Sequence, residues 1–193
     1  IKRFLLSGHS GVLSEPVPGC NYIDHKHSSP KLVVGPDIPR IQELDEIPSP
    51  YLNGMLDEFF DGELSPVVQT ARGCPFACTF CVNNTYLAMH PHQKPIRLRS
   101  VDNIIRELQE VKRNLPFVKI ILFEDDAFFL MSVEVMKELG RKYKELIRMP
   151  LCITGATPST LTKEKLAILV DAGLVGLRMG IQSAAEKTKK MYK

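Results

Sequence analysis

Three cysteines within eight residues, Cys74, Cys78 and Cys81, are the part of this sequence best suited to chemistry. They lie in Gln69-Thr70-Ala71-Arg72-Gly73-Cys74-Pro75-Phe76-Ala77-Cys78-Thr79-Phe80-Cys81-Val82-Asn83, a C-x-x-x-C-x-x-C spacing directly behind an expected strand. At that spacing three thiolates reach one metal centre from a single loop. Thiolates are the usual ligands of iron–sulfur clusters, and a four-iron cubane ordinarily takes four of them. Three therefore leave one iron open to a small molecule. Two other readings compete. A structural zinc site asks for four ligands, commonly two C-x-x-C pairs, and an electron-transfer cluster asks for a fourth cysteine. Cys20, Cys152, His90 or His92 would have to supply it, and neither Cys20 nor Cys152 has a partner at ligand spacing.

The elements that must position this loop are legible from hydrophobic periodicity. Pro66 to Thr70 predicts a strand, 101–114 a helix with Ile104, Ile105, Leu108 and Val111 at helical spacing, and 118–124 a strand that is apolar on both faces. A helix over 133–147, a strand over 151–154, a helix over 163–172, a strand over 176–180 and a helix from Ala185 follow. Regular strand–helix alternation predicts a parallel α/β sheet, and such units wind into an open sheet or a barrel. The N-terminal fifty residues differ. Pro16, Pro18, Pro30, Pro36, Pro39, Pro48 and Pro50 predict extended connecting structure there, followed by a short helix over 51–62.

Composition narrows the class further. The 193 residues, 44% of them hydrophobic, suit one sizeable core. The 25 basic and 22 acidic side chains are interspersed, which singles out neither nucleic acid nor membrane as a partner. No apolar run reaches the ~18 residues of a spanning helix. Five cysteines, three of them crowded together, suit a metal site in a reducing cytoplasm better than a disulfide framework. An initial Ile1 and a helical pattern running to Lys193 suggest a piece of a longer protein.

The cysteine spacing, with the aromatic Phe80 just before the last cysteine, resembles the signature of the radical S-adenosylmethionine (SAM) superfamily. The resemblance implies a [4Fe-4S] cluster on Cys74, Cys78 and Cys81 whose open iron chelates SAM. Reductive cleavage of SAM would then give methionine and a 5′-deoxyadenosyl radical that abstracts hydrogen from a substrate. The implied fold is a partial (β/α) TIM-like barrel of about four βα units behind a Pro-rich linker, with SAM at the C-terminal ends of the strands. An electron donor such as flavodoxin or ferredoxin is the implied partner.

Further site residues follow from the same resemblance. Phe80 would lie beside the adenine. Glu124, Asp125 and Asp126 stand where relatives carry a Gly-Gly-Glu-like motif for the SAM amino group, and Asp125 is the preferred contact, with Asp126 next. Gln182 and Ser183, in Gly180-Ile181-Gln182-Ser183, resemble a stretch bordering the SAM ribose and carboxylate; Ser183 equally suits a helix cap. Thr157 reads as a cap of the Pro158 turn. A finer resemblance is to the subgroup with a cobalamin-binding domain upstream, in which Leu44-Asp45-Glu46-Ile47-Pro48-Ser49-Pro50 would be the linker. Residues 1–50 would then be the trailing end of that domain and 51–193 the first part of the barrel, with cobalamin-dependent methyl transfer as one outcome. No D-x-H-x-x-G motif for a cobalamin-ligating histidine occurs in the sequence.

Overall fold

The computed structural model describes residues 16, 18–25, 29–51 and 66–192. Two compact units divide between Ile41 and Gln42. In the first, strands β1 (Asn21–Asp24) and β2 (Lys31–Val34) form an antiparallel pair, Asn21 opposite Val34 and Asp24 opposite Lys31. Extended connecting structure was the expectation for this segment. The prolines flank the strands without entering them, so both ladders keep their N–H donors. The residues expected as linker, Leu44–Pro50, belong with the second unit. Asp45 accepts from the Ser100 N–H at 2.9 Å, and the Ser49 hydroxyl donates to Glu107. The helix expected over 51–62 lies, apart from Tyr51, outside the described residues.

The second unit is a mixed α/β fold. Its strands are β3 (Val67–Val68), β4 (Ala71–Arg72), β5 (Arg97–Leu98), β6 (Ile121–Phe123), β7 (Leu151–Ala156) and β8 (Leu174–Met179). Four of them form a parallel sheet in the order β3-β6-β7-β8, which is also their chain order. Strands β4 and β5 pair antiparallel on their own. The helices are α1 (Val82–Met89), α2 (Val101–Asn114), α3 (Val133–Lys142), α4 (Lys163–Ala172) and α5 (Glu186–Tyr192).

Local chemistry sets most of these boundaries. The side chains of Ser100, Ser132 and Thr162 each accept a hydrogen bond from the N–H three residues on, satisfying donors at the first turns of α2, α3 and α4. In α2, Asp102 opens and Lys112 and Arg113 close the helix, in keeping with its dipole. Gly173, at φ +112°, ends α4 in the left-handed region. Ile104, Leu108 and Val111 of α2 are fully buried with Ile121 and Phe123 of β6 and with Met136 and Leu139 of α3. Each such side chain contributes roughly 1.5–3 kcal/mol on burial.

Several expected elements differ in extent: the strand expected over 118–124 is Ile121–Phe123, that over 151–154 runs to Ala156, and that over 176–180 is Leu174–Met179. The helix expected over 133–147 is α-helical to Lys142 and widens into a π turn over Tyr143–Ile147, which carries both Tyr143 and Ile147 into the core. The Lys112 ammonium satisfies the Ile147 carbonyl at 2.8 Å. The strand expected from Pro66 to Thr70 leaves the parallel sheet after Val68, because the next residues are held by side chains from two other elements.

Candidate active site

The chain enters the cysteine loop through Gln69-Thr70-Ala71, and this segment is gripped on its donors and on its acceptors. Asp125, just past β6 and 4% exposed, accepts from the Thr70 N–H at 2.9 Å and the Ala71 N–H at 3.0 Å through one carboxylate oxygen, and from the Thr70 hydroxyl through the other. Arg99 donates from its guanidinium to the Gln69 carbonyl at 3.0 Å and from its backbone N–H to the Thr70 carbonyl at 2.9 Å. Arg99 is held in turn by Asn103 and by buried Glu107, whose Oε2 stands 2.5 Å from Nη1 as an ion pair without the alignment of a hydrogen bond. Burial pushes the Asp125 carboxyl above its ordinary range, against the opposing pull of the Thr70 and Ala71 donors.

Gly73 follows at φ +87°, where a Cβ would come 2.3 Å from the Pro95 carbonyl oxygen. Only glycine fits so close a backbone approach at that dihedral. Cys74, Cys78 and Cys81 are all half-buried and none is in a disulfide. Burial pushes the Cys74 thiol up, the negative charges of Asp126, Cys78 and Cys81 add to this, and a hydrogen bond from the Phe76 N–H opposes it. A bound cation reverses that balance, because metal ligation deprotonates a thiol. The loop closes with the Cys81 N–H on the Cys78 carbonyl at 3.0 Å, and α1 begins at the next residue. Cys81 thus sits at a helix N-terminus, and the Asn83 amide donates to its sulfur at 3.8 Å.

The outer part of the loop meets α5. The Thr79 N–H and hydroxyl donate to the carbonyls of Tyr192 and Met191, each at 3.2 Å, and the Phe80 ring lies edge-on to Tyr192 at 4.8 Å.

Donor chemistry tests what this loop could hold. Among the described residues no three His, Cys, Asp or Glu side chains are grouped closely enough for one metal ion. A zinc ion draws its sulfurs to about 2.3 Å each, whereas a cubane spreads its thiolates one to an iron. Three free thiols on one loop could supply one thiolate to each of three irons.

An open cavity of about 390 Å³ lies at the lower end of the ~300–1,000 Å³ usual for small-molecule sites. It occupies the C-terminal ends of β6, β7 and β8, lined by Asp126, Gly155–Thr157, Arg178–Gly180 and Gln182. Asp126 lines the cavity, and its charge is among those that push the Cys74 thiol up. Gly155, at φ +78°, lets β7 approach the end of β6 so closely that a Cβ there would meet the Asp125 carbonyl oxygen at 2.3 Å. Gln182 has φ +65°, unusual outside glycine.

The candidates named from sequence therefore fall in different places. Asp126 and Gln182 share the cavity. Glu124 is exposed beside it, its N–H and carbonyl tied to Val68 and Gln69. The Asp125 carboxylate is occupied by Thr70 and Ala71. The Ser183 hydroxyl accepts from the Ala185 N–H at 3.1 Å, just ahead of α5. Phe80 is half exposed against α5. The Thr157 hydroxyl bonds to those of Ser159 and Thr160 within the turn, while the residue also lines the cavity. Arg178, in the cavity wall, and Thr70, Arg99 and Glu107, in the grip on the loop's root, had no signal in the sequence, since their role arises only when four separate segments meet.

Residues 68–193 match the radical SAM superfamily. The chain is also 30% identical over 155 residues to an uncharacterized methyltransferase of Pyrococcus horikoshii, covering 79% of this chain and 32% of that protein. It thus spans about a third of that relative's length. With a parallel α/β sheet carrying a C-x-x-x-C-x-x-C loop and a cavity at its strand ends, the chain belongs to the radical SAM superfamily.

Proposed function

We propose that Cys74, Cys78 and Cys81 hold a four-iron cluster whose open iron takes SAM, and that SAM lies across the cavity at the ends of β6, β7 and β8. The observation that carries this reading is Asp126, which lines that cavity and whose charge also acts on Cys74. When bound, the cluster would supply an electron for the reductive cleavage of SAM, the step from which hydrogen abstraction in this family proceeds.

The chain's own residues bind, orient and shield. The Phe76 N–H and the Asn83 amide stabilise thiolate charge at Cys74 and Cys81. Asp126, with Glu124 beside it, offers carboxylate to the SAM amino group, Gln182 and Ser183 border its polar edge, and Phe80 offers an apolar face to the adenine. A one-electron donor such as flavodoxin or ferredoxin would approach the loop. Methyl transfer is the final reaction favoured by the name of the Pyrococcus horikoshii relative. Nothing among the described residues supports cobalamin.

Anaerobic reconstitution with iron and sulfide, followed by electron paramagnetic resonance with and without SAM, tests the proposal. A four-iron signal that shifts on SAM addition, absent from Cys78→Ala and retained in Cys152→Ala, is the expected result. A four-iron signal indifferent to SAM would point to electron transfer instead, and zinc without iron would overturn the cluster altogether.

A further inference from the structure

We infer that Asp125 is a positioning residue, which fixes the root of the cysteine loop through Thr70 and Ala71 and makes no contact with SAM. The inference rests on the reading of Cys74, Cys78 and Cys81 as cluster ligands and adds the device that aims them. Three donors converge on one buried carboxylate, the Thr70 N–H and hydroxyl and the Ala71 N–H, and none comes from the cavity side. Thr70 is itself fully buried, so its hydroxyl has no water to turn to. The backbone between Ala71 and Cys74 is short and contains Gly73, pinned against Pro95. Whatever fixes Thr70 and Ala71 therefore fixes where Cys74 can stand.

The opposite side of the same segment is closed by Arg99 on the Gln69 and Thr70 carbonyls. Asp125 and Arg99 thus hold backbone polar groups at the corner between β3 and β4 that burial would otherwise leave unpaired. The Asp125 backbone is fixed as well, since its carbonyl packs where Gly155 has no Cβ. The carboxylate then links the end of β6 to the entry of the loop, and two of its neighbours in sequence, Glu124 and Asp126, remain exposed for a ligand.

Charge and shape separate the two roles. Asp125→Asn keeps an oxygen for both amides and a polar partner for the Thr70 hydroxyl, but removes the negative charge that an amino group would need. Asp125→Ala removes both. For positioning, cluster-free Asp125→Asn keeps the slow hydrogen exchange of the Thr70 and Ala71 amides, while Asp125→Ala speeds it roughly tenfold or more. After reconstitution Asp125→Asn responds to SAM at the wild-type concentration, and Asp125→Ala loses iron to a chelator about tenfold faster or more. Asp125→Asn with full iron and no spectral response to SAM would overturn the inference in favour of direct contact, as would Asp125→Ala with wild-type exchange and iron retention. If Asp125→Ala does not fold, Thr70→Val, which removes the hydroxyl alone, is expected to release iron faster and Thr70→Ser to restore the wild-type rate; equal rates in Val and Ser variants would refute the link. A wild type that takes up no cluster would overturn the reading of the cysteines, whereas the exchange rates of the cluster-free variants decide the role of Asp125 separately.

Discussion

Replacing Gly73 by alanine puts two separable loads on the residue before Cys74. At φ +87° an L side chain costs about 1–2 kcal/mol. The new Cβ would also stand 2.3 Å from the Pro95 carbonyl oxygen, against the ~3.3 Å at which carbon and carbonyl oxygen ordinarily meet, so one backbone must retreat by about 1 Å. Overpacking of that kind adds roughly 1–3 kcal/mol. The sum, about 2–5 kcal/mol, would be read by urea denaturation of the cluster-free protein. Gly173→Ala is the comparator, since it also has positive φ, +112°, but its Cβ would come no nearer than 3.3 Å to the Met149 carbonyl and it lies far along the chain from the cysteines. The expectation is a larger loss of stability in Gly73→Ala than in Gly173→Ala, accompanied by a fall in iron bound after reconstitution that Gly173→Ala does not share. Equal stabilities with wild-type iron content in both would refute the argument that this glycine sets the position of Cys74.

Other predictions follow from buried polar groups. The Tyr143 hydroxyl is buried without a hydrogen-bond partner among the described residues, and burial raises its pKa; Tyr143→Phe is expected to stabilise the fold by about 1 kcal/mol and to raise Tm by roughly 2–4 °C, and a lower Tm would mean the phenol is bonded. Glu107→Ala leaves the Arg99 guanidinium buried without its counter-charge and is expected to cost about 3–5 kcal/mol in denaturant titrations, a loss under 1 kcal/mol being the contrary result. The folded pKa of Asp125 lies above the unfolded 3.8, so its contribution to stability is present below that value and is lost as pH rises through the folded one. Asp125→Asn, free of that titration, is expected to gain stability relative to wild type between acid and neutral pH; a constant difference would contradict the sign.

How far the sequence reached can be traced along the chain. The helices over 101–114 and 163–172 were legible to the residue, because capping side chains and apolar spacing act within one segment. The parallel character of the sheet and the three clustered cysteines were legible too. The corner at Gln69-Thr70 was not, since Asp125 and Arg99 reach it from over twenty residues away, and its short strands β4 and β5 carry no periodic signal. For the same reason an acidic triplet in which Asp125 is read as the preferred ligand contact, with Asp126 next, divides into one buried acid, Asp125, and two exposed ones. The hairpin of β1 and β2 was hidden by the prolines around it.

The close approach of Gly155 to Asp125 has a consequence for redesign. With a backbone oxygen occupying the place of its Cβ, position 155 admits no side chain, and neither β6 nor β7 can yield there without disturbing the loop that carries the cysteines. A library meant to alter which molecule fits the cavity would waste its diversity at that position. Arg178, Met179 and Gln182 line the same space from β8 and the segment after it, with exposed side chains and no stake in the cysteine loop's root, so a change of ligand preference is to be sought by varying those three.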